Sequence, residues 1–500
     1  MRQRITYLQE PNDAVDPKNL QVTNNSISTK ELKAAREERI TFGFDELPQE
    51  LYTVLKASHE LHIRWARERA YESIAPLVSR LSPGLHVFYT PQRGSKSSDL
   101  LCPILEKVFG GNVSCKSPET SFTILPTERF SHSAATQFYT PLASLDDFRD
   151  YLAYKLCPVS DSACQSRVSS LSKAASLDIS FDTISHAFTL SAFFPSTISS
   201  LAISKPKTSS PSRLEVGILN HEKATDIEEL SMAGFLTVIG ENTKPSPTLF
   251  SFPSRHHPST EWFSSKFLLP TGLHPNLELS ISGSQPPLDD RSCSLHAHIT
   301  LPRQVFADKY QLSDPLFLAS KNLTAVRYIT SPVDLEAPAY TMDIWGSSVL
   351  LELAPPSSSK SEAFTAQVPL HLRYLEPNAG KGGLEQTEIP YPVLFWACTA
   401  DEGSKFPINP FDRVNLGYDG LFGPRTLFFH LSPTPSIGEE RLTNKLEVPV
   451  LDLDKSSLIE IGTAAVVGLG FLWVLWVLVG VWRRSGYGSR TVVEKEKKSQ

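Results

Sequence analysis

The sequence lacks the motifs on which the common enzyme classes are built. It contains no Gly-x-Ser-x-Gly nucleophile elbow, no Walker loop and no Gly-x-Gly-x-x-Gly dinucleotide fingerprint. It also has no Cys-x-x-Cys pair, which argues against a zinc knuckle or a thioredoxin-like redox motif. We therefore predict no cofactor.

An excess of positive charge is missing as well. The chain has 48 basic and 54 acidic residues and a formal net charge of −6. A nucleic-acid-binding protein is expected to carry a basic face, so nucleic acid is excluded as a predicted partner. Only 3 Met stand beside 38 Pro, which favours β-structure and long loops over a helical bundle.

Long apolar runs are absent except for one. Ile461 to Trp482 contains no charged residue. At about 1.5 Å per residue this stretch reaches roughly 33 Å, enough to cross a hydrocarbon core of about 30 Å. Because it is apolar on all sides, a buried amphipathic core helix is a poor explanation. We predict a transmembrane helix over 458–482, with the lipid bilayer as a partner.

The flanks of this helix differ in charge. The segment before it is acidic, whereas the tail after it is rich in Arg and Lys. Positive charge favours the cytosolic side, so we predict a cytosolic tail and a lumenal N-terminal part. Lys497 and Lys498 lie third and fourth from the end and resemble a dilysine retrieval signal for the endoplasmic reticulum. An ordinary basic tail is the alternative.

A signal peptide is not apparent. The first ten residues include two Arg but no apolar run of 7–15 residues. A span close to the C-terminus also suits a tail anchor, whose bulk stays in the cytosol. We keep the lumenal orientation as the prediction, and the tail anchor as its alternative.

The remainder of the chain divides by pattern. A helical pattern from Pro48 to Leu81, with Arg64 on a solvated salt-bridge face, and a second helix from Ser144 to Tyr154 predict an α+β region. Short apolar alternations after Leu277 predict a mainly-β, sandwich-like domain. The predicted parts are an irregular segment (1–40), an α+β domain (41–270), a β-rich lumenal domain (271–455), the helix (458–482) and a basic cytosolic tail (483–500).

Six cysteines and three glycosylation acceptor motifs become informative if this body is lumenal. Connectivity cannot be read from spacing, but one pairing keeps each bridge within one region. Its pairs are Cys102 with Cys115, Cys157 with Cys164, and Cys293 with Cys398. The Asn-x-Ser/Thr acceptors are Asn24, Asn112 and Asn322, a number close to chance in this composition.

Two apolar strands are predicted near the end of the β-rich part. In Val368–Pro377, Val368, Leu370, Leu372 and Tyr374 point to one face. His371 and Arg373 point to the other face, where they meet solvent or a partner. After a glycine-containing loop, Ile389–Cys398 forms an apolar strand that ends on a cysteine.

These segments resemble the PIG-X family in its long fungal form. The resemblance rests on His371-Leu-Arg373-Tyr374, Pro377 and Pro392-Val-Leu-Phe-Trp396-Ala-Cys398, downstream of Ser294–Arg303 and Phe306–Tyr310. A single C-terminal span follows, as in the family. The resemblance covers roughly residues 280–485.

The resemblance implies a role without catalysis. Fungal members of the family are partners of glycosylphosphatidylinositol mannosyltransferase I, a multi-span enzyme that adds the first mannose of the anchor precursor. The chain is thus expected to bind and stabilise that enzyme in the endoplasmic-reticulum membrane.

Two other functions stay open. One is a general lumenal chaperone for membrane or secretory clients. The other is a lumenal hydrolase, for which His296-x-His298 offers half a metal site and Asp452-Leu-Asp454 an Asp-x-Asp pattern. Ordinary strand histidines and juxtamembrane charge explain both patterns more simply, so we predict no catalytic or metal-binding residue.

Overall fold

The computed structural model describes the chain except residues 93–99, 112, 127–134, 158–159, 206–212, 290, 331–332, 357–361, 408 and 487–500. It contains two compact units. The first combines Met1–Leu375 with Gln386–Val448, and the second combines Glu376–Glu385 with Pro449–Gln500.

A twelve-stranded sheet, sheet 1, dominates the N-terminal half of the first unit. Its strands are β1 (Arg2–Gln9), β2 (Gln21–Val22), β3 (Ser26–Phe42), β4 (Ser58–Ala66), β5 (Gly84–Pro91), β6 (Thr123–Ile124), β7 (Thr136–Thr140), β8 (Ser176–Asp182), β9 (Phe188–Ser204), β10 (Arg213–Glu222), β11 (Glu229–Val238) and β12 (Ser246–Pro253). Their order is β12-β11-β10-β1-β3-β9-β8-β4-β5-β7-β6, with β2 beside β3. β1 and β10 pair in parallel, and the other described pairs are antiparallel.

Helices cover one face of sheet 1. The α-helices of the described chain are α1 (Gln49–Ala57), α2 (Leu101–Phe109), α3 (Pro118–Ser121), α4 (Asp146–Lys155), α5 (Ser162–Ser170), α6 (Pro315–Ser320) and α7 (Ser456–Ser485). Leu55 of α1, Leu105 of α2 and Phe148 of α4 share one core with Ile63 of β4 and Leu177 of β8. This apolar layer is the main core of the N-terminal half.

An eight-stranded sheet, sheet 2, forms the C-terminal half. Its strands are β13 (His256–Phe267), β14 (Asn276–Ile281), β15 (Cys293–Pro302), β17 (Leu323–Ile329), β18 (Gly346–Leu353), β19 (Phe364–Pro369), β22 (Val393–Thr399) and β23 (Thr426–Pro433). Their order is β17-β18-β15-β22-β23-β13-β14-β19. Two small sheets pair β16 (Val305–Phe306) with β20 (His371–Leu372), and β21 (Leu384–Pro390) with β24 (Thr443–Pro449).

The two large sheets share buried side chains. Ala66 and Leu81 pack with Phe395, Tyr418 and Phe428 in one apolar cluster. This shared core explains why both sheets lie in one unit. The domain boundary expected near residue 270 is therefore wrong, because it falls between β13 and β14, which pair with each other.

The prediction of an irregular segment over 1–40 is also wrong. β1 pairs with the second half of β3, from Arg2 opposite Thr41 to Leu8 opposite Ala35. Ile5, Leu8, Ile27 and Leu32 are buried, whereas polar residues occupy intervening positions. The strands were not predicted because the many polar residues in 1–40 obscure this pattern of buried and exposed positions in the sequence.

The helix predicted from Pro48 to Leu81 ends early. α1 stops at Ala57, and β4 follows at once. Leu61, Ile63 and Trp65 enter the core at a spacing of two, which is strand periodicity. Leu61 and Trp65 are also four apart, so the same residues fit a helical pattern.

The predicted fold class is confirmed. An α+β N-terminal region is followed by a mainly-β region and one C-terminal helix. Residues Leu453–Ser485 form the apolar helical stretch, long enough to cross a membrane, and no residue of α7 is buried. Among the described residues this is the one helix that could cross a membrane by length and composition, which fits a single-pass membrane protein.

Candidate interaction site

The family motif beginning at His371 lies where sheet 2 ends. β19 pairs with β14 up to Pro369, and β20 then pairs with β16 in a separate small sheet. This change of partner places His371 opposite Phe306. Two segments that carry the family resemblance, distant in sequence, are thereby brought together.

Arg373 is buried rather than turned outward. Its residue exposure is 4%, and its guanidinium carbon lies 4.4 Å from the centroid of the Phe306 ring. Nη1 donates to the Ala337 carbonyl at 2.8 Å. The prediction that Arg373 meets solvent or a partner on the outer face is therefore wrong, because the alternation does not continue past Leu372.

His371 forms the half-buried centre of the site. Its Nδ1 lies 3.0 Å from Nδ1 of His274, and its Nε2 lies 3.0 Å from Oε1 of Gln311. The ring stacks on Phe306 at 5.3 Å between centroids. Burial and then the neighbouring His274 lower the pKa of His371, which favours the neutral imidazole.

Exposed apolar side chains surround this motif. We call Leu273, Tyr310, Tyr340 and Tyr374 the tyrosine rim; their exposures are 48%, 66%, 55% and 69%. Hydrogen bonds tie their segments to the motif: Ala339 N donates to Tyr374 O at 2.9 Å, and Leu372 N to Leu273 O at 3.1 Å. Exposed aromatic groups in such a cluster are typical of protein interfaces.

The second part of the family motif belongs to the core. β22 lies between β15 and β23, and Trp396 has 2% exposure. Pro392 is buried just before the strand. Cys293 and Cys398 face each other in register and form a disulfide. Pro392–Cys398 therefore supports the site from within.

The two other disulfides lie in the helical region of the first unit. They join Cys102 with Cys115, and Cys157 with Cys164. Together with Cys293–Cys398, these are the pairs that keep each bridge within one region. The three disulfides use all six cysteines of the sequence.

Pro377 opens a loop in the second unit. Residues 376–385 pack against the segment before α7: Asn378 N donates to Leu451 O at 3.2 Å, and Leu453 N to Asn378 O at 2.8 Å. Gly380 N donates to Oδ2 of Asp454 at 2.9 Å. The loop thus braces the entry to the helix.

The candidate catalytic carboxylates are engaged in this brace. Oδ1 of Asp452 accepts from Asp454 N at 3.0 Å, and its other oxygen pairs with Lys455 at 3.1 Å. These contacts are typical of a helix start. They give Asp452 and Asp454 a structural role.

The candidate metal-binding histidines lie in the shared core. His296 and His298 each have 2% exposure. His296 stacks on Phe395 and contacts the Ser294 carbonyl at 3.1 Å; burial lowers its pKa to about 4 and that of His298 to about 3. Within the described residues, no group of three or more His, Cys, Asp or Glu is arranged to hold a metal ion.

The glycosylation candidates differ in setting. Asn24 is exposed in the turn between β2 and β3. Asn322 is also exposed, with φ of 56°, and its Nδ2 donates to Thr365 O at 2.7 Å. Asn112 and the predicted retrieval residues Lys497 and Lys498 lie outside the described residues.

The sequence patterns did not identify a buried charge cluster centred on Asp178. Its Oδ1 accepts from Arg64 and from Arg413, each at 2.9 Å. Arg64 was predicted on a solvated helix face, but β4 directs it beneath the loop around Arg413. The alternation of Glu60, His62 and Arg64 with apolar residues was the available signal.

Comparisons with known proteins give consistent similarities. A family model described as PIG-X / PBN1 matches residues 270–479. The chain is 50% identical to Protein pbn1 of Neurospora crassa, over 100% of both chains. It is 47% identical to Protein pbn1 of Emericella nidulans over 97% of each chain, and 44% identical to Protein PBN1 of Gibberella zeae over 100% of both.

Proposed function

The chain belongs to the PIG-X / PBN1 family, and from this premise we propose that it is a subunit of glycosylphosphatidylinositol mannosyltransferase I. It binds and stabilises the multi-span catalytic subunit that adds the first mannose of the anchor precursor. The observation that carries the proposal is the similarity over the full chain to several fungal relatives.

We place the protein in the endoplasmic-reticulum membrane, with its body lumenal and its tail cytosolic. The 30-residue helix α7 has no buried residue, which suits a helix surrounded by lipid and a partner's helices. Arg483 and Arg484 lie in its last turn, on the side expected to be cytosolic.

The tyrosine rim is the surface proposed to meet the catalytic subunit. It exposes three aromatic rings and one aliphatic chain around a rigid motif. Aromatic side chains contribute much of the binding energy of interfaces, since they bury a large area at a small entropic cost. The buried Arg373 and Phe306 hold this surface in place.

Stabilisation rather than chemistry is proposed because the strongest catalytic candidates have structural contacts. His296 packs on Phe395, and Asp452 caps the turn before α7. A subunit of this kind raises the abundance of its partner by binding the partner's folded state.

The test is co-purification from cells that express tagged full-length protein. Tyr374→Asp places a charge in the rim and is expected to lower recovery of the catalytic subunit at least about tenfold, since an interface hot spot contributes about 2 kcal/mol or more. Tyr154→Asp is the matched control, because Tyr154 is 82% exposed on α4, away from the motif.

Three results would contradict the proposal. Normal abundance and activity of the mannosyltransferase after depletion of the protein would remove the stabilising role. Equal recovery with both tyrosine variants would remove the rim as the contact surface. A broad set of co-purifying membrane proteins, without one dominant partner, would favour the general chaperone.

A further inference from the structure

One face of sheet 1 is polar although it is covered. Along β4 and β8, apolar residues enter the main core, and the residues between them point to the opposite face. That opposite face carries Glu60, His62, Arg64, Ser176, Asp178, Ser180 and Asp182. A polar sheet face is stable when it is exposed to solvent. Another segment of the chain nevertheless packs over this face, and this arrangement suggests a function.

The segment 409–415 lies over this face, and its residues 409–414 border a cavity of about 280 Å³. Arg413 from the segment and Arg64 from β4 both donate to Asp178, with side-chain exposures of 11%, 3% and 14%. Nη1 of Arg413 also donates to Ser79 O at 3.1 Å. These ion pairs and this hydrogen bond therefore hold the segment 409–415 in place at the border of the cavity.

Acidic groups outnumber basic groups in the lining of the cavity, where Glu37, Asp178, Asp182 and Asp412 face Arg39, Arg64 and Arg413. Asp178 is shared by two guanidinium groups; burial acts to raise its pKa, but Arg413 and Arg64 outweigh that effect and lower it. Arg39 pairs with Glu37 at 3.0 Å. Little positive charge is left over for a phosphate or carboxylate ligand.

Neutral hydrogen-bonding groups and rings complete the lining. Ser180 and Thr189 face each other across β8 and β9 and both border the cavity. Nδ1 of the buried His62 has no hydrogen-bond partner in the described chain. The rings of Tyr71 and Phe193, 6.0 Å apart, supply an apolar surface beside these groups.

We propose that this cavity binds a neutral, hydroxyl-rich ligand of about the size of one hexose or cyclitol ring. Mixed donors and acceptors with an aromatic surface match such a ligand, which offers hydroxyl groups around an apolar ring. At about 280 Å³ the cavity lies at the small end of ligand pockets, which span roughly 300–1,000 Å³, so it suits one ring better than a long oligosaccharide. The ligand is either a free molecule or the terminal unit of a larger glycan.

The experiment uses full-length protein in phosphatidylcholine nanodiscs, because maltoside detergents themselves carry sugar. Saturation-transfer NMR is recorded with D-mannose, D-glucose, myo-inositol and inorganic phosphate. A dozen heavy atoms at ordinary ligand efficiency give dissociation constants in roughly the millimolar range. A short mannose oligosaccharide separates the two sources, since only a site that accepts a terminal unit will bind it.

Cavity-filling variants locate the site. Ser180→Leu is expected to weaken binding at least about tenfold, the equivalent of about 1.4 kcal/mol. Ser196→Leu is the control, because Ser196 is an exposed strand position in the same sheet. Thr189→Leu fills the cavity from the neighbouring strand in case the first variant fails to fold. Hydrogen exchange of the unaltered protein, with slower exchange expected in β8 and 409–415 on adding ligand, needs no variant.

The site would be established if the unaltered protein binds a hexose or inositol, if Ser180→Leu and Thr189→Leu abolish this binding, and if Ser196→Leu retains it. Absence of binding and of hydrogen-exchange protection with every polyol overturns the proposal and leaves a water-filled cavity. Binding of phosphate alone overturns the neutral class, and polyol binding that survives the fillers overturns the location. The catalytic partner is absent from the assay, so failure here leaves the proposed subunit role untouched.

Discussion

At the scale of single residues, Arg373 joins three parts of the chain. Its backbone N–H donates to Gln304 O at 2.8 Å, and its Nη1 donates to Ala337 O at 2.8 Å. The guanidinium lies over the Phe306 ring. The residue therefore sets the relative positions of the segments that carry the tyrosine rim.

Arg373→Ala is expected to lower the free energy of unfolding by about 2–4 kcal/mol, through loss of a charged hydrogen bond and a cation–π contact. Urea unfolding of the full-length protein in detergent measures the change. Arg327→Ala is the control: Arg327 is 55% exposed in its pair with Glu352, and such pairs contribute about 0–1 kcal/mol. Equal effects of the two variants would mean that Arg373 has no special structural role.

At the scale of elements, histidines line the region where sheets 1 and 2 pack together. Burial lowers the pKa of His86 to about 4, and that of His430 on β23 to about 3. Burial also lowers the pKa of His298, and the neighbouring His86 lowers it further because two protonated imidazoles would repel each other. All of these imidazoles are neutral when the sheets are packed.

Stability is expected to fall as pH falls below about 6.5, the ordinary histidine pKa. The unfolded chain then binds protons that the folded chain excludes, and each such group adds up to about 1.4 kcal/mol per pH unit. His298→Gln removes one of the groups with a lowered pKa and should reduce this slope. Thermal unfolding between pH 7 and pH 4 makes the comparison, and an unchanged slope in His298→Gln would refute the assignment.

The disulfide between β15 and β22 makes a prediction at the same scale. Cys293 and Cys398 are separated by 105 residues, and Cys157 and Cys164 by 7. The chain-entropy relation assigns a loss of about 5 kcal/mol to opening the first and about 2 kcal/mol to opening the second. Urea unfolding of variants in which both cysteines of one pair are replaced by Ala measures each loss in the free energy of unfolding. A larger loss for the Cys157–Cys164 pair than for the Cys293–Cys398 pair would contradict the prediction.

Local patterns predicted some elements and missed others for a physical reason. α7 was predicted from its long uncharged sequence, and β22 from the apolar run that ends on Cys398. β1 was missed because polar residues separate its buried side chains, and because one of its two partners, β10, begins at Arg213, far along the chain. The motif segments around His371 were predicted, but not the burial of Arg373, because β16 contributes the ring that covers it.

At the scale of the whole molecule, the orientation in the membrane is open to a direct test. If the body is lumenal, endoglycosidase should increase the gel mobility of the full-length protein. Asn24→Gln and Asn322→Gln, singly and together with Asn112→Gln, identify the occupied acceptors; Asn24 and Asn322 are exposed.

Sealed vesicles provide the complementary measurement. The body should resist added protease, and a tag on the tail should be removed. An unglycosylated body that is digested from outside would instead indicate a tail-anchored protein facing the cytosol.

The parallel pairing of β13 with β23 has a consequence for biosynthesis. At roughly 5–20 residues per second, the ribosome completes β23 about 8–30 s after β13. Throughout that interval the nascent β13 has an open edge that foreign strands can join. β23 thus closes this edge of the sheet late in synthesis, and we expect the nascent chain to be most prone to aggregation until β23 is made.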